Sequence, residues 1–169
     1  METFRKRIIA FLFLLMPLTA DAAVLVQYSI TGNSLNTTTN ATGIAGGTLT
    51  NGSLTTFTTD SSYGFASQPT LRVHPGSGGT SASTAVSTNS YYSFSVTPTA
   101  LVIDLTSLTF NASRCGSSTP RGYVIRSSID SYANNIATAS IGTQAATWTA
   151  VSIDLSGASY QNLTSAVTF

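Results

Sequence analysis

The sequence predicts an all-β domain, a β-sandwich with a jelly-roll-like arrangement, preceded by a short targeting segment. The chain is rich in Val, Ile, Thr, Tyr and Phe, the residue types that favour strands. Apolar and polar residues alternate over several short segments, and turn residues separate those segments. After the first two dozen residues no segment has helical periodicity over three turns. Eight or more short strands with turns between them are typical of a β-sandwich.

The N-terminus has the pattern of a secretory signal peptide. A basic start is followed by an apolar run, Ile8–Leu18, and then by small residues that include Ala20 and Ala22. The run is about half of the ~20 residues that a membrane-spanning helix requires. We expect residues 1–22 to be removed and residues 23–169 to form a single exported domain with no membrane span.

Strands are expected at regular intervals in the first half of the domain. Val24–Ile30 alternates and predicts the first strand, whereas the polar stretch Thr31–Gly47 predicts a loop. Short strands are expected on either side of Asn51-Gly52 and at Leu71–Val73. The sequence then predicts that pairing breaks after His74, and that a new strand ends at Pro98.

In the second half of the domain, the alternation of apolar and polar residues shifts by one position. Apolar residues occupy odd positions from Leu101 to Leu105, but Leu108 and Phe110 fall on even positions, which predicts a bulge or corner near Thr106-Ser107. Further strands are expected at 123–127, 136–141, 151–155 and 167–169. Because the last of these stops in mid-pattern, we expect the domain to lack at least one strand at its C-terminus.

The second half also resembles a family of secreted bacterial proteins that usually end in a PEP-CTERM sorting tail. The resemblance is carried by Tyr92–Pro98, Leu105–Phe110, Arg114, Tyr123–Tyr132, Ser152–Leu155 and Val167–Phe169. It implies a jelly-roll-like sandwich and export to the cell envelope or extracellular matrix, but no agreed biochemical activity. The Pro-Glu-Pro tail, the second apolar segment and the terminal basic cluster of that family are absent from this sequence.

The composition predicts a protein that is not an enzyme. After the first two dozen residues there is no Lys and no Glu. The side chains left that could act as acids, bases, nucleophiles or metal ligands are mainly four Arg, four Asp, His74 and Cys115. His74 is the sole histidine, and no Gly-x-Ser-x-Gly elbow presents a nucleophile. We expect Asp104 and Asp154, which share an Ile-Asp-Leu pattern, and Asp130 to hydrogen-bond their own turns.

Composition likewise argues against most cofactors and partners. One His and one Cys cannot supply most of a zinc shell, and no basic patch marks a nucleic-acid surface. Calcium, which accepts carbonyl ligands, is compatible with the sequence, although no spaced Asp/Asn loop supports it. We therefore expect no cofactor.

A small set of residues could bind a ligand. Trp148 either packs into the core or offers a flat ring to a sugar, and Tyr91 and Tyr132 are further aromatic candidates. Arg114 and Arg126 could bind carboxylates or sugar hydroxyls, or an arginine could pair with Asp130 or hydrogen-bond loop carbonyls and fix its own segment.

Three functions fit these expectations. The first is a secreted non-catalytic protein of the bacterial cell surface or extracellular matrix, with a structural or interaction role and extracellular polysaccharide as its partner. The second is a carbohydrate-binding module, which would require an exposed Trp148. The third is the N-terminal part of a secreted hydrolase, in which Asp104 or Asp154 would be essential for activity but not for folding.

Overall fold

The structure is a computed structural model that describes residues 23–54, 56–60, 69–74, 81–113, 121–141 and 148–169. The strands are β1 (Val26–Gln27), β2 (Thr39–Asn40), β3 (Ile44–Gly46), β4 (Thr50–Asn51), β5 (Thr56–Asp60), β6 (Thr70–His74), β7 (Tyr92–Ser93), β8 (Ser95–Pro98), β9 (Ser107–Ala112), β10 (Arg121–Ile125), β11 (Ala137–Ile141), β12 (Thr149–Asp154) and β13 (Val167–Thr168). One α-helix, α1 (Ala82–Ser87), and three 3₁₀ turns, Thr31–Asn33, Ser128–Asp130 and Ala158–Tyr160, complete the described elements.

The all-β class predicted from the sequence is confirmed. Among the described residues the strands form one three-stranded sheet and five two-stranded sheets, and every pairing is antiparallel. The jelly-roll arrangement stays a prediction. In the described ranges, none of the helices has the length and apolar character that crossing a membrane requires. The signal peptide predicted at 1–22 lies outside the described residues.

The core is centred on the three-stranded sheet, in which β8 pairs with both β3 and β13. Each strand contributes one buried aliphatic residue, Ile44, Val96 and Val167, and Val167 is only 1 % exposed. The pairing continues past β13, because Phe94 and Phe169 exchange two backbone hydrogen bonds of 3.0 and 2.9 Å. The core therefore joins segments that are far apart in the sequence.

Aromatic rings line one side of this core. Phe94 stacks on Phe169 with 5.6 Å between ring centroids, and Tyr160 stacks on the same ring at 6.2 Å. Tyr28 meets Phe94 edge-on at 5.7 Å, and its hydroxyl donates to the carbonyl of Gly47. Offset and edge-to-face contacts of this kind add to the stabilisation that burial alone provides.

The corner predicted near Thr106-Ser107 is confirmed. Ile103 and Leu105 are buried, β9 begins at Ser107, and Leu108 and Phe110 face inward from even positions. The prediction was wrong for Leu101, which is 53 % exposed. It lies in a bend before the Ile103–Leu163 bridge, so strand alternation does not determine the direction of its side chain.

The predicted loop at Thr31–Gly47 was wrong over its second half, which contains β2 and β3. Conversely, the first strand is shorter than expected, since it covers only Val26–Gln27 and Ile30 has a left-handed φ of 54°. β1 pairs with β2, and β3 pairs with β8. Because the partner strands lie elsewhere in the sequence, the alternation within each short segment does not reveal these pairings.

Two elements position the candidate site. The strands β10 and β11 form an antiparallel pair from Arg121↔Ile141 to Ile125↔Ala137, and residues 126–136, the Arg126 loop, connect them. The helix α1 contacts β10. Together they bring three separate stretches of the sequence to one surface.

Candidate functional site

A surface groove lies between α1, β10 and the Arg126 loop. Its volume is about 420 Å³, and the residues that line it are Ser83, Val86, Ser87, Val124, Arg126 and Asn135. We call it the Arg126 groove. The groove combines one cation, two hydroxyls, one amide and two aliphatic side chains.

The Arg126 loop is fixed by its own hydrogen bonds. The backbone N–H of Ile136 donates to Ile125 O at 2.8 Å and closes the loop, while the Tyr132 N–H donates to Ser127 O at 2.9 Å. The Asp130 carboxylate accepts from both the backbone and the side chain of Asn134, at 3.0 and 2.9 Å. Hydrogen bonds from Asn134 also lower the pKa of the Asp130 carboxyl.

The guanidinium of Arg126 takes part in the same network. Its Nε donates to Asn135 Oδ1 at 2.8 Å and its Nη1 donates to the carbonyl of Tyr132 at 2.9 Å. The alternative in which an arginine hydrogen-bonds a loop carbonyl is thus confirmed for Arg126, whereas Arg126 does not make the alternative pairing with Asp130, whose carboxylate accepts from Asn134. A guanidinium has five N–H donors, so these bonds leave three without a partner among the described residues.

The wall opposite the loop is the short helix α1. Its N-cap is Ser81, whose hydroxyl accepts from the Thr84 N–H at 3.2 Å, as N-cap serines do. Ser87 donates its hydroxyl proton to Thr84 O at 3.0 Å, which leaves the Ser87 oxygen able to accept. The exposed Val86, 39 % exposed, supplies the apolar part of this wall.

Tyr91 lies outside the groove and presents an exposed ring. It is 53 % exposed, and it precedes β7, which pairs with β4. A Cβ atom placed on Gly52 would lie 2.6 Å from Tyr91 Cε1, so the ring packs directly against the backbone of that glycine. The Gly52 N–H donates to Tyr91 O at 2.9 Å and holds the two residues together. One side of the ring is therefore supported while much of the side chain faces solvent.

The other candidates from the sequence occupy different positions. Tyr132 is 43 % exposed and belongs to the Arg126 loop, where its φ of 61° is left-handed. Trp148 is half-buried immediately before β12, between the two environments predicted for it. Arg114 lies outside the described residues. The structure thus brings Arg126 and Tyr132 into one loop and does not place Tyr91 or Trp148 in the groove lining.

The aspartates have the structural roles expected of them, with one correction. Asp154 Oδ1 accepts from Ser156 N at 2.8 Å, and hydrogen bonds from Ser156 lower the pKa of the Asp154 carboxyl. Asp104 was predicted to bond its own turn, but it accepts from the distant Asn162 N at 2.7 Å. In the described part of the chain, no three His, Cys, Asp or Glu side chains are grouped as metal ligands.

Sequence reasoning found Arg126 but missed the other residues of the groove. Ser83, Val86 and Ser87 belong to a helix of six residues, which is too short for helical periodicity to be visible. The one local indication is Ser81, a favoured N-cap residue before Ala82. Asn135 carries no pattern of its own and becomes informative only through its hydrogen bond with Arg126.

Comparisons of the chain with protein-family models, with curated proteins and with solved structures find no match. The function therefore has to be inferred from the Arg126 groove and the exposed Tyr91.

Proposed function

We propose that this chain is an exported, non-catalytic all-β protein of the bacterial cell surface or extracellular matrix that contacts polysaccharide through exposed aromatic side chains. The observation that carries this proposal is the supported but exposed ring of Tyr91, packed against Gly52 and 53 % exposed. A chain rich in Ser, Thr and Asn, with only 8 % charged residues, is suited to a hydroxyl-rich partner.

A sugar ring has faces made of C–H groups, which stack on aromatic rings, and a rim of hydroxyls. A tyrosine ring offers an apolar face together with a polar tip. Because Gly52 already fixes one side of the Tyr91 ring, little rotamer freedom remains to be lost when a sugar binds. The pairing of Thr50 with Ser93, whose hydroxyls lie 2.9 Å apart, holds the surrounding strands in place.

The test is co-sedimentation of the purified protein with insoluble neutral polysaccharides such as cellulose, xylan and β-1,3-glucan. We expect the protein to bind at least one of them, Tyr91→Ala to weaken that binding about tenfold, and Tyr91→Phe to retain it. Val102→Ala, at a residue 60 % exposed, is the control for loss of an unrelated apolar side chain.

Equal binding by the wild type and Tyr91→Ala would show that Tyr91 is not the contact. If none of these neutral polysaccharides binds, the proposed contact through Tyr91 is wrong.

A further inference from the structure

We propose that the Arg126 groove binds one carboxylated sugar residue of an acidic polysaccharide. The inference rests on the proposed function, because it takes polysaccharide as the partner, but it uses residues other than Tyr91. It adds a ligand class, a hexuronate, and a second contact point to that function.

The Arg126 guanidinium has N–H donors left to bind a ligand. Three of its N–H donors have no protein partner among the described residues, and within the same residues no carboxylate forms an ion pair with it. The guanidinium nevertheless lines the groove. An arginine with paired free donors is suited to a carboxylate, because two parallel N–H···O bonds match the geometry of both groups.

The charge of the groove fits a ligand with one negative charge. Among the described residues, Arg126 is the single charged residue in the groove lining, and the chain has no lysine after its first two dozen residues. One cation matches the single negative charge of a carboxylate. A phosphate carries up to two charges, and we would expect its site to have further cations or several converging backbone N–H groups. The charge balance therefore favours a uronic acid over a phosphorylated sugar.

The walls of the groove combine polar and aliphatic side chains. Ser83, Ser87 and Asn135 provide hydroxyl and amide groups for sugar hydroxyls, while Val86 and Val124 provide an apolar surface for ring C–H groups. A mixture of aliphatic surface with a few polar groups is typical of small-molecule sites, whose volumes run from ~300 to ~1,000 Å³. The groove, at about 420 Å³, lies within that range.

Hydrogen bonds within the protein orient the Arg126 side chain without a ligand. Arg126 is held at both Nε and Nη1, and the Asp130 bonds to Asn134 order the far side of the loop. Since the guanidinium is already oriented, a ligand does not have to order a flexible arginine side chain. Binding therefore avoids this loss of conformational entropy, which would otherwise weaken the affinity.

The experiment compares two forms of one ligand by isothermal titration calorimetry at low salt. The probes are trigalacturonic acid and its methyl ester, which has the same rings and hydroxyls but no charge. We expect the acid to bind and the ester to bind at least tenfold more weakly. Raising the salt concentration should weaken binding of the acid, because the contact is partly exposed.

Two variants locate the site without relying on one substitution. Arg126→Gln removes the cation but also perturbs the loop, so Ser83→Glu is the second variant. It places a negative charge on the α1 wall, near the helix N-terminus where acidic side chains are tolerated, and leaves Arg126 in place. Both should weaken binding of the acid at least tenfold. Ser152→Glu, at an exposed serine outside the groove lining, is the matched control and should bind as the wild type does.

The outcomes separate this inference from the proposed function. Equal affinity for acid and ester, no binding of the acid, or an acid affinity unchanged by Ser83→Glu would each overturn the Arg126 groove as a uronate site. Neutral polysaccharide binding that depends on Tyr91 would stand in all three cases. The opposite result is also informative. If the protein binds the acid through Arg126 but binds no neutral polysaccharide, the Arg126 groove is supported and the role of Tyr91 is overturned.

Discussion

Ser127 shows how one buried hydroxyl connects the candidate site to the core. It follows Arg126 directly, is 1 % exposed, and its Oγ lies 2.9 Å from the hydroxyl of Tyr160. The Tyr160 ring in turn stacks on Phe169. The start of the Arg126 loop is thus attached to the aromatic side of the core. An unpaired hydroxyl at such a position would have no access to water.

We therefore expect Tyr160→Phe to lower the free energy of unfolding by about 1–3 kcal/mol, because it leaves the Ser127 hydroxyl buried without its partner. Urea denaturation followed by fluorescence measures this change. The double variant Ser127→Ala/Tyr160→Phe should lose less than the sum of the two single variants, since it removes both polar groups. Strict additivity would show that the two hydroxyls do not interact.

At the scale of the elements, β10 and β11 depend on a close approach of their backbones. A Cβ atom on Gly122 would lie 2.4 Å from the carbonyl oxygen of Ala139 in the neighbouring strand. Gly122 pairs with Ser140, next to the terminal pair Arg121↔Ile141 of this two-stranded sheet. Because the obstructing atom belongs to the backbone, a side-chain rotation cannot relieve the clash.

Gly122→Ala should accordingly destabilise the protein by about 1–3 kcal/mol, as overpacking does in a close-packed site. Gly157→Ala is the matched control, since Gly157 has nothing within 4 Å of an added Cβ and has a φ of −61° that alanine adopts freely. We expect the control to be neutral or to gain up to about 1 kcal/mol. Thermal melts of the two variants side by side provide the measurement, and an equal response of both would refute the close-approach argument.

The elements also show what local sequence can and cannot predict. The strands β9 and β12 were recognisable because apolar residues alternate through both. The corner before Ser107 was recognisable because the apolar residues move from odd to even positions there. By contrast, β2 consists of Thr39 and Asn40, both exposed, so its sequence resembles a loop. Its pairing is provided by β1 and is invisible in the residues themselves.

The candidate site was likewise predictable only where the residues themselves carry a local pattern. Arg126 was identifiable as a rare cation in a chain with few charges. Its hydrogen bond to a loop carbonyl is one of the roles predicted for it from the sequence. The groove was not predictable, because one of its walls is α1, which is distant in sequence from β10 and the Arg126 loop. Serine and threonine, which make up half of α1, are weak helix formers and gave no local indication of it.

At the scale of the whole molecule, stability is concentrated around the last residues of the chain. Val167 is 1 % exposed and Phe169 is 9 % exposed, and both belong to the same cluster as Ile44, Val96 and Leu155. The rings of Phe94 and Tyr160 both stack on Phe169. A domain of this size has a total stability of about 5–15 kcal/mol, so a single core ring is a large fraction of it.

Phe169→Ala should remove about 3–5 kcal/mol, the typical cost of deleting a buried aromatic side chain, and should lower the melting temperature sharply. Val102→Ala, at an exposed aliphatic residue, should change stability by no more than about 0.5 kcal/mol. Differential scanning calorimetry compares the two. A melting temperature of Phe169→Ala close to that of Val102→Ala would mean that the ring does not contribute to the core as described.

The pairing of Phe94 with Phe169 also constrains when this protein can fold. A nascent chain that has been synthesised as far as residue 166 holds most of its strands but lacks Val167 and Phe169, so the sheet of β3 and β8 has no third strand and the aromatic stack has no centre. Closure must then wait for a contact between residues far apart in sequence, and such non-local contacts form slowly. We expect this part of the core to form only after residues 167–169 have emerged from the ribosome and can pair with residues 94–96.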